Sequence, residues 1–449
     1  MALTGMDIFK LLPKTNCQDC GVATCLAFAM KLAAGQAELD ACPHLSTETR
    51  EKLEEASAPP VRQVVIGTGE QALKIGGETV LFRHEKTFAN KPGIGLFLHD
   101  AMSDQEIVKK IETFKKLAYE RVGLILKADI IAVKSQTGDA QTFAGLINKV
   151  INAGITNLIL MAENPEVLAE GARSAAACRP LLHAATRENF DAVVRIAQDC
   201  NCPLVIKGSS LDEVAELTEK LAAMKFKDIV LDCESGDFVR SFQDSVIARR
   251  CAVMKKLRTL GYPTIVFPCQ MTDDPMYEPV IASAFITKYA GIIILSEIEG
   301  HNLFPLALQR MNIYTDPQRP MATSEGIYEI NNPDENSPVV ITSNFSLTYF
   351  IVSSEIESSR VPTWLLIKDA EGLSVLTAWA AGKFSADSIA PFIKKSSIED
   401  KIKHRRLVIP GAVASISGEL DEALEGWEVQ IGPREASALT PYLKNWKAA

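Results

Sequence analysis

The chain acquires a regular hydrophobic rhythm at residue 93. From there, short apolar runs rich in β-branched residues alternate with amphipathic segments of helical period. Near-continuous apolar runs are typical of strands buried on both faces, as in a parallel sheet covered by helices. The eight runs lie at residues 93–98, 129–133, 157–161, 180–184, 203–206, 228–231, 263–267 and 291–295.

Eight evenly spaced strand–helix units predict a (β/α)8 TIM barrel over residues 93–325, with an open doubly wound sheet as the alternative. Any site in such a barrel is expected where the strands end. The polar residues there form no recognisable catalytic set; among them are Lys134, Glu163, Lys207, Asp232, Cys233 and Gln270. His183 falls inside a strand and is predicted to be a hydrogen-bonded core histidine. The barrel cysteines lack a Cys-x2-Cys spacing and are expected to pack as small hydrophobes.

Strand and helix patterns alternate again near the C-terminus, with strands predicted at 338–341, 363–368, 406–409 and 427–431. Residues 312–337, rich in Pro, Asp and Asn, are interpreted as a linker. Each strand leads through small or hydroxyl-bearing residues into a helix, so one sheet edge should form a crevice lined by backbone N–H groups. We predict a Rossmann/flavodoxin-like α/β domain over 326–449. It carries no G-x-G-x-x-G or Walker loop.

The N-terminal segment concentrates cysteines. Cys17, Cys20, Cys25 and Cys42 follow the pattern C-x2-C-x4-C-x16-C. Four thiolates in an apolar surround suit a [4Fe-4S] cluster. Structural zinc is the alternative, although zinc sites usually pair two Cys-x2-Cys knuckles. We therefore predict a cluster domain over 1–57 and, after Pro59-Pro60, a linker with short β-segments over 58–92; His44 is predicted to be a surface histidine.

The composition and net charge exclude some classes of binding partner. The 449 residues suit roughly three domains, and the formal net charge of −9 argues against nucleic acid and anionic membranes. The sequence has no long apolar run for a membrane span and no signal-peptide layout at its start. We expect a cytoplasmic protein whose cysteines are thiols or metal ligands.

These parts, in this order, resemble a known family. The start MALTGMDIFKLLPKTNCQDCGVATCLAFAMKLAAG and the end LVIPGAVASISGELDEALEGWEVQIGP are similar to the large (gamma) subunits of the corrinoid iron–sulfur proteins of the acetyl-CoA synthase (Wood–Ljungdahl) pathway of carbon fixation. The resemblance implies a heterodimer with a smaller barrel subunit. It also implies a methyl carrier rather than a stand-alone catalyst, with a B12-type corrinoid on the C-terminal domain.

The resemblance further implies the chemistry. Cobalt in the Co(I) state would accept a methyl group from methyltetrahydrofolate through a separate methyltransferase. The resulting methyl-Co(III) would pass it to the nickel site of acetyl-CoA synthase. The [4Fe-4S] cluster would restore Co(I) from Co(II).

The strand-end loops of the last domain are the predicted corrinoid site. The expected contacts are Thr342, Asn344, Ser346, Ala370, Glu371, Gly372, Leu373, Ser374, Gly411, Ala412, Gly432, Pro433 and Arg434. No histidine has an Asp two residues before it, as a cobalt-binding D-x-H-x-x-G motif requires, and His404 precedes a strand at the opposite end. We therefore predict no protein ligand on cobalt. Without an axial nitrogen, Co(I) is easier to reach.

Two other functions remain open. The chain could be a pterin-binding barrel methyltransferase, or an electron-transfer or reductive-activation protein that uses the cluster alone. Methyltetrahydrofolate binding by the isolated chain distinguishes the first, and a corrinoid absorption spectrum distinguishes the second.

Overall fold

A computed structural model describes residues 5–33, 36–37, 39–46, 49–50, 53, 58–121, 124–233, 236–318 and 320–447. The chain divides into two units. The first holds residues up to 81 together with 88–117 and 128–310, and the second holds 82–87, 118–127 and the chain from 311 onward. Among the described residues no helix is long and apolar enough to cross a membrane.

The chain begins with two short helices, α1 (Gly5–Leu11) and α2 (Cys25–Ala33). Thr24 precedes α2, and its hydroxyl accepts a hydrogen bond from Ala27 N at 3.1 Å, as expected of a helix cap. Apolar residues at helical spacing, among them Ile8 and Phe28, pack the two helices together with Cys25 and Cys42 in a small core. An antiparallel hairpin follows, made of β1 (Val64–Ile66) and β2 (Leu73–Ile75).

The apolar runs form the predicted parallel strands. Their order around the sheet is β10-β9-β8-β7-β6-β3-β12-β11. Two short strands interrupt the series in the chain: β4 (Ala118–Arg121) and β5 (Leu124–Lys127) pair as a hairpin within the second unit. The eight parallel strands are β3 (Gly93–His99), β6 (Ile130–Lys134), β7 (Leu158–Met161), β8 (Leu181–Ala185), β9 (Leu204–Gly208), β10 (Ile229–Cys233), β11 (Ile265–Val266) and β12 (Ile292–Leu295).

The ends of this sheet approach each other. Leu231 bridges Thr264 in parallel register, and Leu231 N donates to Pro263 O at 2.9 Å. The sheet is thus a nearly closed barrel, which bears out the predicted closed form over an open sheet.

Helices connect the barrel strands. Several begin at a side-chain cap: Ser103, Asp139, Ser210 and Asp237 each accept a backbone N–H bond from three residues ahead, which explains why these helices start where they do. The helices are α3 (Asp104–Lys116), α4 (Ala140–Asn152), α5 (Pro165–Ser174), α6 (Phe190–Asp199), α7 (Leu211–Ala223), α8 (Phe238–Val253), α9 (Glu278–Thr287) and α10 (Gly300–Ile313).

The β1–β2 hairpin closes the N-terminal end of the barrel. Val64, Ile66 and Ile75 belong to the same buried core as inward residues of the barrel strands. Asn157, directly before β7, donates from Nδ2 to Gln71 O at 2.9 Å, which fixes the hairpin at that end. The barrel therefore opens at the carboxyl ends of its strands.

The second unit contains a five-stranded sheet of order β13-β15-β14-β16-β17, in which β13 is antiparallel to β15 and the others are parallel. Its strands are β13 (Gly326–Ile330), β14 (Val339–Ser343), β15 (Thr363–Lys368), β16 (Arg406–Ile409) and β17 (Glu428–Ile431). The strand order reverses between β14 and β16, as in doubly wound sheets.

Helices cover both faces of this sheet, because each strand alternates its apolar side chains between two cores. Val340 and Val408 pack on one face, and Ile341 and Leu407 on the other. The first face is covered by α11 (Ser346–Ser359) and α15 (Leu439–Asn445), and the second by α12 (Val375–Ala380), α13 (Ala386–Ser396) and α14 (Ser417–Ala423).

Two elements depart from the sequence prediction. Residues 326–330, placed in a linker, form the edge strand β13, because Ile330 is buried against the sheet although its neighbours in sequence are polar. The β4–β5 hairpin was not predicted at all. Its strands are four residues each and mostly exposed, and β4 is largely polar, whereas the apolar β5 lies directly before the stronger apolar run of β6 in the sequence.

Candidate functional site

The C-terminal sheet has a crevice at its reversal point. A cavity of about 260 Å³ opens above the carboxyl ends of β14 and β16, where ligands bind in open α/β sheets. Six of the predicted contact residues line it: Thr342, Ser374, Ala412, Gly432, Pro433 and Arg434. Its remaining wall is largely aliphatic.

Buried hydroxyls without partners surround this strand end. The side-chain oxygens of Thr342, Ser343, Ser346 and Thr323 are inaccessible and have no hydrogen-bond partner among the described residues. Leaving a buried hydroxyl unpaired costs about 1–3 kcal/mol, so native proteins seldom do it without a reason. Four such groups at one sheet edge indicate a place prepared for polar groups of a ligand.

Asn344 braces two of the predicted loops. Its Oδ1 accepts from Ala370 N at 3.0 Å and Gly372 N at 2.9 Å, and its Nδ2 donates to Asp369 at 2.8 Å. The side chain is buried, and its amide oxygen accepts both of these backbone bonds. Asn344 therefore shapes the edge of the crevice by holding the loop after β15 to the end of β14.

That loop turns sharply away from the cavity. Glu371 and Gly372 have φ of +55° and +72°, and a Cβ on Gly372 would lie 2.8 Å from Pro320 O. Ala370 is buried in the core, Glu371 is exposed and pairs with Lys383, and Leu373 packs against the core from a half-buried position. The residues of this loop, apart from Ser374, are thus not brought to the cavity lining.

The third and fourth loops meet through glycines. Gly411 N donates to Pro433 O at 3.1 Å, and Gly432 N donates to Ile409 O at 2.8 Å. A Cβ on Gly411 would collide with Gly432 O, so this approach requires glycine. Ser374 caps α12 without bonding its backbone; its hydroxyl contacts Thr377 Oγ1 at 2.9 Å.

His404 lies at the opposite edge of the sheet, two residues before β16. Its Nε2 faces Ser337 O at 3.0 Å and its Nδ1 accepts from Arg406 N at 3.2 Å. Both ring nitrogens are engaged there, so this histidine does not reach the crevice.

The predicted cluster cysteines share one small module. Cys25 and Cys42 are buried in its core, Cys20 is half-buried against that core, and Cys17 is exposed. The loop before α2 is tightly coiled: Asn16 and Gln18 adopt positive φ, and Asn16 Oδ1 accepts from Cys25 N at 2.8 Å. This coil brings the first cysteines back toward the start of α2.

Cys17 has two polar neighbours. The ligand atoms of Cys17, Asp19 and His44 lie within 4.8 Å of one another, and His44 Nε2 is 2.5 Å from Asp19 Oδ2. Hydrogen bonds from His44 and then Cys17 lower the pKa of the Asp19 carboxyl. His44 is about half exposed, as the surface position predicted for it requires.

The barrel thiols are of a different kind. Burial raises the pKa of Cys202 to about 12, and burial with Asp244 and Asp232 nearby raises that of Cys233 to about 12. Burial also raises the pKa of Cys269. Neutral thiols of this kind are poor metal ligands and pack as small hydrophobes.

The chain thus combines a cysteine-rich module, a nearly closed parallel barrel and a doubly wound α/β sheet with a crevice at its reversal point. The chain belongs to the family described as CO dehydrogenase/acetyl-CoA synthase delta subunit, whose profile matches residues 63–443. A second profile, described as "Putative Fe-S cluster", matches residues 12–44, which contain all four N-terminal cysteines. The predicted resemblance to the large (gamma) subunits is confirmed by the relatives.

Two relatives show the extent of the similarity. The chain is 44% identical over 444 residues to the corrinoid/iron-sulfur protein large subunit of Moorella thermoacetica, and the match covers 99% of each chain. It is 38% identical over 453 residues to the acetyl-CoA decarbonylase/synthase complex subunit gamma of Methanopyrus kandleri, covering 98% of this chain and 97% of that one.

Proposed function

We propose that this protein is a methyl carrier that holds a corrinoid on its C-terminal unit and a [4Fe-4S] cluster on Cys17, Cys20, Cys25 and Cys42. The observation that carries the proposal is the group of unpaired hydroxyls around the carboxyl end of β14, beside a crevice at the sheet's reversal point. When bound, the corrinoid would supply a cobalt that takes a methyl group from methyltetrahydrofolate and yields it to acetyl-CoA synthase.

The residues present fit such a group. Thr342 and Ser346 would hydrogen-bond its polar periphery, and the close contact between Gly411 and Gly432 would hold the third and fourth loops together at the rim of the crevice. Asn344 would hold the surrounding loops in place. The engagement of both nitrogens of His404 at the far edge supports a cobalt without a protein ligand.

The N-terminal module would hold the cluster. Cys20, Cys25 and Cys42 share an apolar core that would exclude water from their thiolates, and such exclusion is one control on a cluster's potential. Partners would be a smaller barrel subunit, a methyltetrahydrofolate methyltransferase and acetyl-CoA synthase.

The decisive experiment is anaerobic metal analysis with a visible spectrum of the full chain. We expect about four iron atoms and about one cobalt per chain. Zinc without cobalt would contradict the proposal, and the Cys17–Asp19–His44 grouping is where a zinc ion would then be sought. Iron without a corrinoid spectrum would favour an electron-transfer protein, and tight methyltetrahydrofolate binding by the chain alone would favour a barrel methyltransferase.

A further inference from the structure

The mouth of the barrel holds a second, larger cavity that the methyl-carrier proposal does not use. Its volume is about 790 Å³, within the usual range for small-molecule sites. It lies at the carboxyl ends of the strands, where barrels bind their ligands. The β1–β2 hairpin closes the other end, so this cavity is reached from the mouth.

The strand register places polar side chains at the carboxyl ends of neighbouring strands around the mouth. Lys134 pairs with Met161 on the next strand, and Met161 pairs with His183. Lys207 and Asp232 are register partners on β9 and β10. All five line the cavity, with Met161 and the nearby Phe267 supplying an apolar wall.

Three carboxylates among the described residues line this cavity. Asp232 accepts from His183 Nε2 at 2.8 Å, and both side chains are buried. Glu188 accepts from the Thr186 hydroxyl at 2.7 Å, and Glu163 is exposed at the rim. His183 is thus hydrogen-bonded, as predicted, but it is also part of a cavity wall.

Lys134 has no such partner. No carboxylate of the described chain pairs with its ammonium group, although the side chain is half-buried inside the barrel mouth. A cation withdrawn from water without a counter-charge is costly, and an anion bound beside it removes that cost. Lys207 also lines the cavity but has an interaction of its own, so Lys134 is the lining cation that lacks a counter-charge among the described residues.

We propose that the barrel mouth is a binding site for a small organic anion, with its carboxylate or phosphate oxygens held at Lys134 and its apolar part against Met161 and Phe267. This inference is independent of the methyl-carrier proposal. Nothing in it requires the corrinoid or the cluster.

The test is equilibrium dialysis of the full chain against radiolabelled malonate and, separately, inorganic phosphate. We expect saturable binding of at least one probe at about one equivalent per chain. Lys134→Met, which keeps the length of the side chain but removes its charge, should weaken binding by about 10- to 100-fold. The matched control is Lys149→Met, a lysine on the outer helix α4 that pairs with Asp104 and should bind as the wild type.

A second variant predicts the opposite sign. Asp232→Asn keeps an acceptor for His183 and removes a negative charge from the cavity wall. The variant should therefore bind the anion about threefold or more tightly than the wild type. A third measurement needs no variant: the bound anion should slow chemical acylation of Lys134, read by mass spectrometry, while Lys149 reacts at an unchanged rate. This measurement decides the matter if Lys134→Met does not fold.

The outcomes divide cleanly. Malonate binding alone assigns a carboxylate site, phosphate binding alone a phosphate site, and both a general oxyanion site. Absence of saturable binding, or unchanged acylation of Lys134 at saturating probe, would overturn the proposal. Equal weakening by the Lys134 and Lys149 variants would do so as well, since it indicates a nonspecific charge effect.

Discussion

The barrel and the C-terminal sheet both end their parallel strands at a polar edge, yet the two edges differ in kind. The barrel mouth carries several ionisable side chains, among them Lys134, Lys207 and Asp232. The lining of the C-terminal crevice has one charged side chain, Arg434, and is otherwise made of aliphatic groups, backbone and hydroxyls, with unpaired hydroxyls around it. Charged side chains favour a ligand of opposite charge. Hydroxyls and exposed backbone suit a large, flat ligand with many amide groups. The two proposals therefore assign different classes of ligand to the two edges.

The largest effect on the C-terminal crevice is expected at Gly372. Gly372→Ala adds a Cβ that would collide with Pro320 O, whereas Gly382, with a similar φ of +70°, has no atom within 4 Å of its Cβ position. Both alanine variants bear the cost of positive φ, about 1 kcal/mol. We expect Gly372→Ala to lose most of its cobalt and Gly382→Ala to keep it, by cobalt analysis. Equal cobalt in both would refute the role of this loop.

The next largest effect is expected at Asn344. Asn344→Ala leaves the N–H groups of Ala370 and Gly372 without their acceptor, at about 2–6 kcal/mol in all, since each unpaired buried group costs about 1–3 kcal/mol. The melting temperature should fall and cobalt retention with it. The control is Asn445→Ala, an exposed asparagine that bonds only within its own helix. Anion binding at the barrel mouth should be unchanged in both variants.

A smaller effect is expected at Thr342, where removing the hydroxyl should stabilise the cofactor-free protein. Thr342→Val removes an unpaired hydroxyl, so the cofactor-free protein should gain up to about 1 kcal/mol while cobalt retention weakens. Thr363→Val removes a hydroxyl that donates to Val361 O at 3.0 Å and should destabilise the protein instead. Denaturant unfolding of the cofactor-free forms measures both. A loss of stability in Thr342→Val would show that its hydroxyl is paired.

The smallest effect concerns the barrel alone. Cys202 and Cys233 have a pKa of about 12 in the folded chain, against about 8.5 for a free thiol. Above pH 8.5 the unfolded chain therefore binds fewer protons, and the stability present below that pH is lost progressively toward pH 12. The melting temperature of the wild type should fall more steeply above pH 8.5 than that of the Cys202→Ala/Cys233→Ala double variant. Parallel curves would contradict the assigned pKa values.

The sequence predicted the barrel well because its strands are buried on both faces and read as continuous apolar runs. It failed at β13, an edge strand with few apolar residues, and at the β4–β5 hairpin, whose short strands are mostly exposed. For the crevice, it identified the loops but not how each residue acts within them. Asn344 stays a predicted corrin contact. The structure adds that its amide braces neighbouring backbone, and no local pattern reveals which long-range partner an amide takes.

At the barrel mouth the polar residues were visible in sequence as strand ends. Their convergence was not, because it depends on the register that aligns Lys134, Met161 and His183 across three strands. The hydrogen bond between His183 and Asp232 joins positions 49 residues apart. Neither relation has a local signature.

The β1–β2 hairpin, which closes the N-terminal end of the barrel, determines how a ligand enters and leaves. Val64, Ile66 and Ile75 pack into the barrel core at its N-terminal end, so the barrel is closed at that end and its interior is reached from the carboxyl ends of the strands. Whatever enters must leave by the same rim, so two molecules that use it have to take turns. Ligand binding and ligand release then share one opening, and a partner that covers this opening would control both.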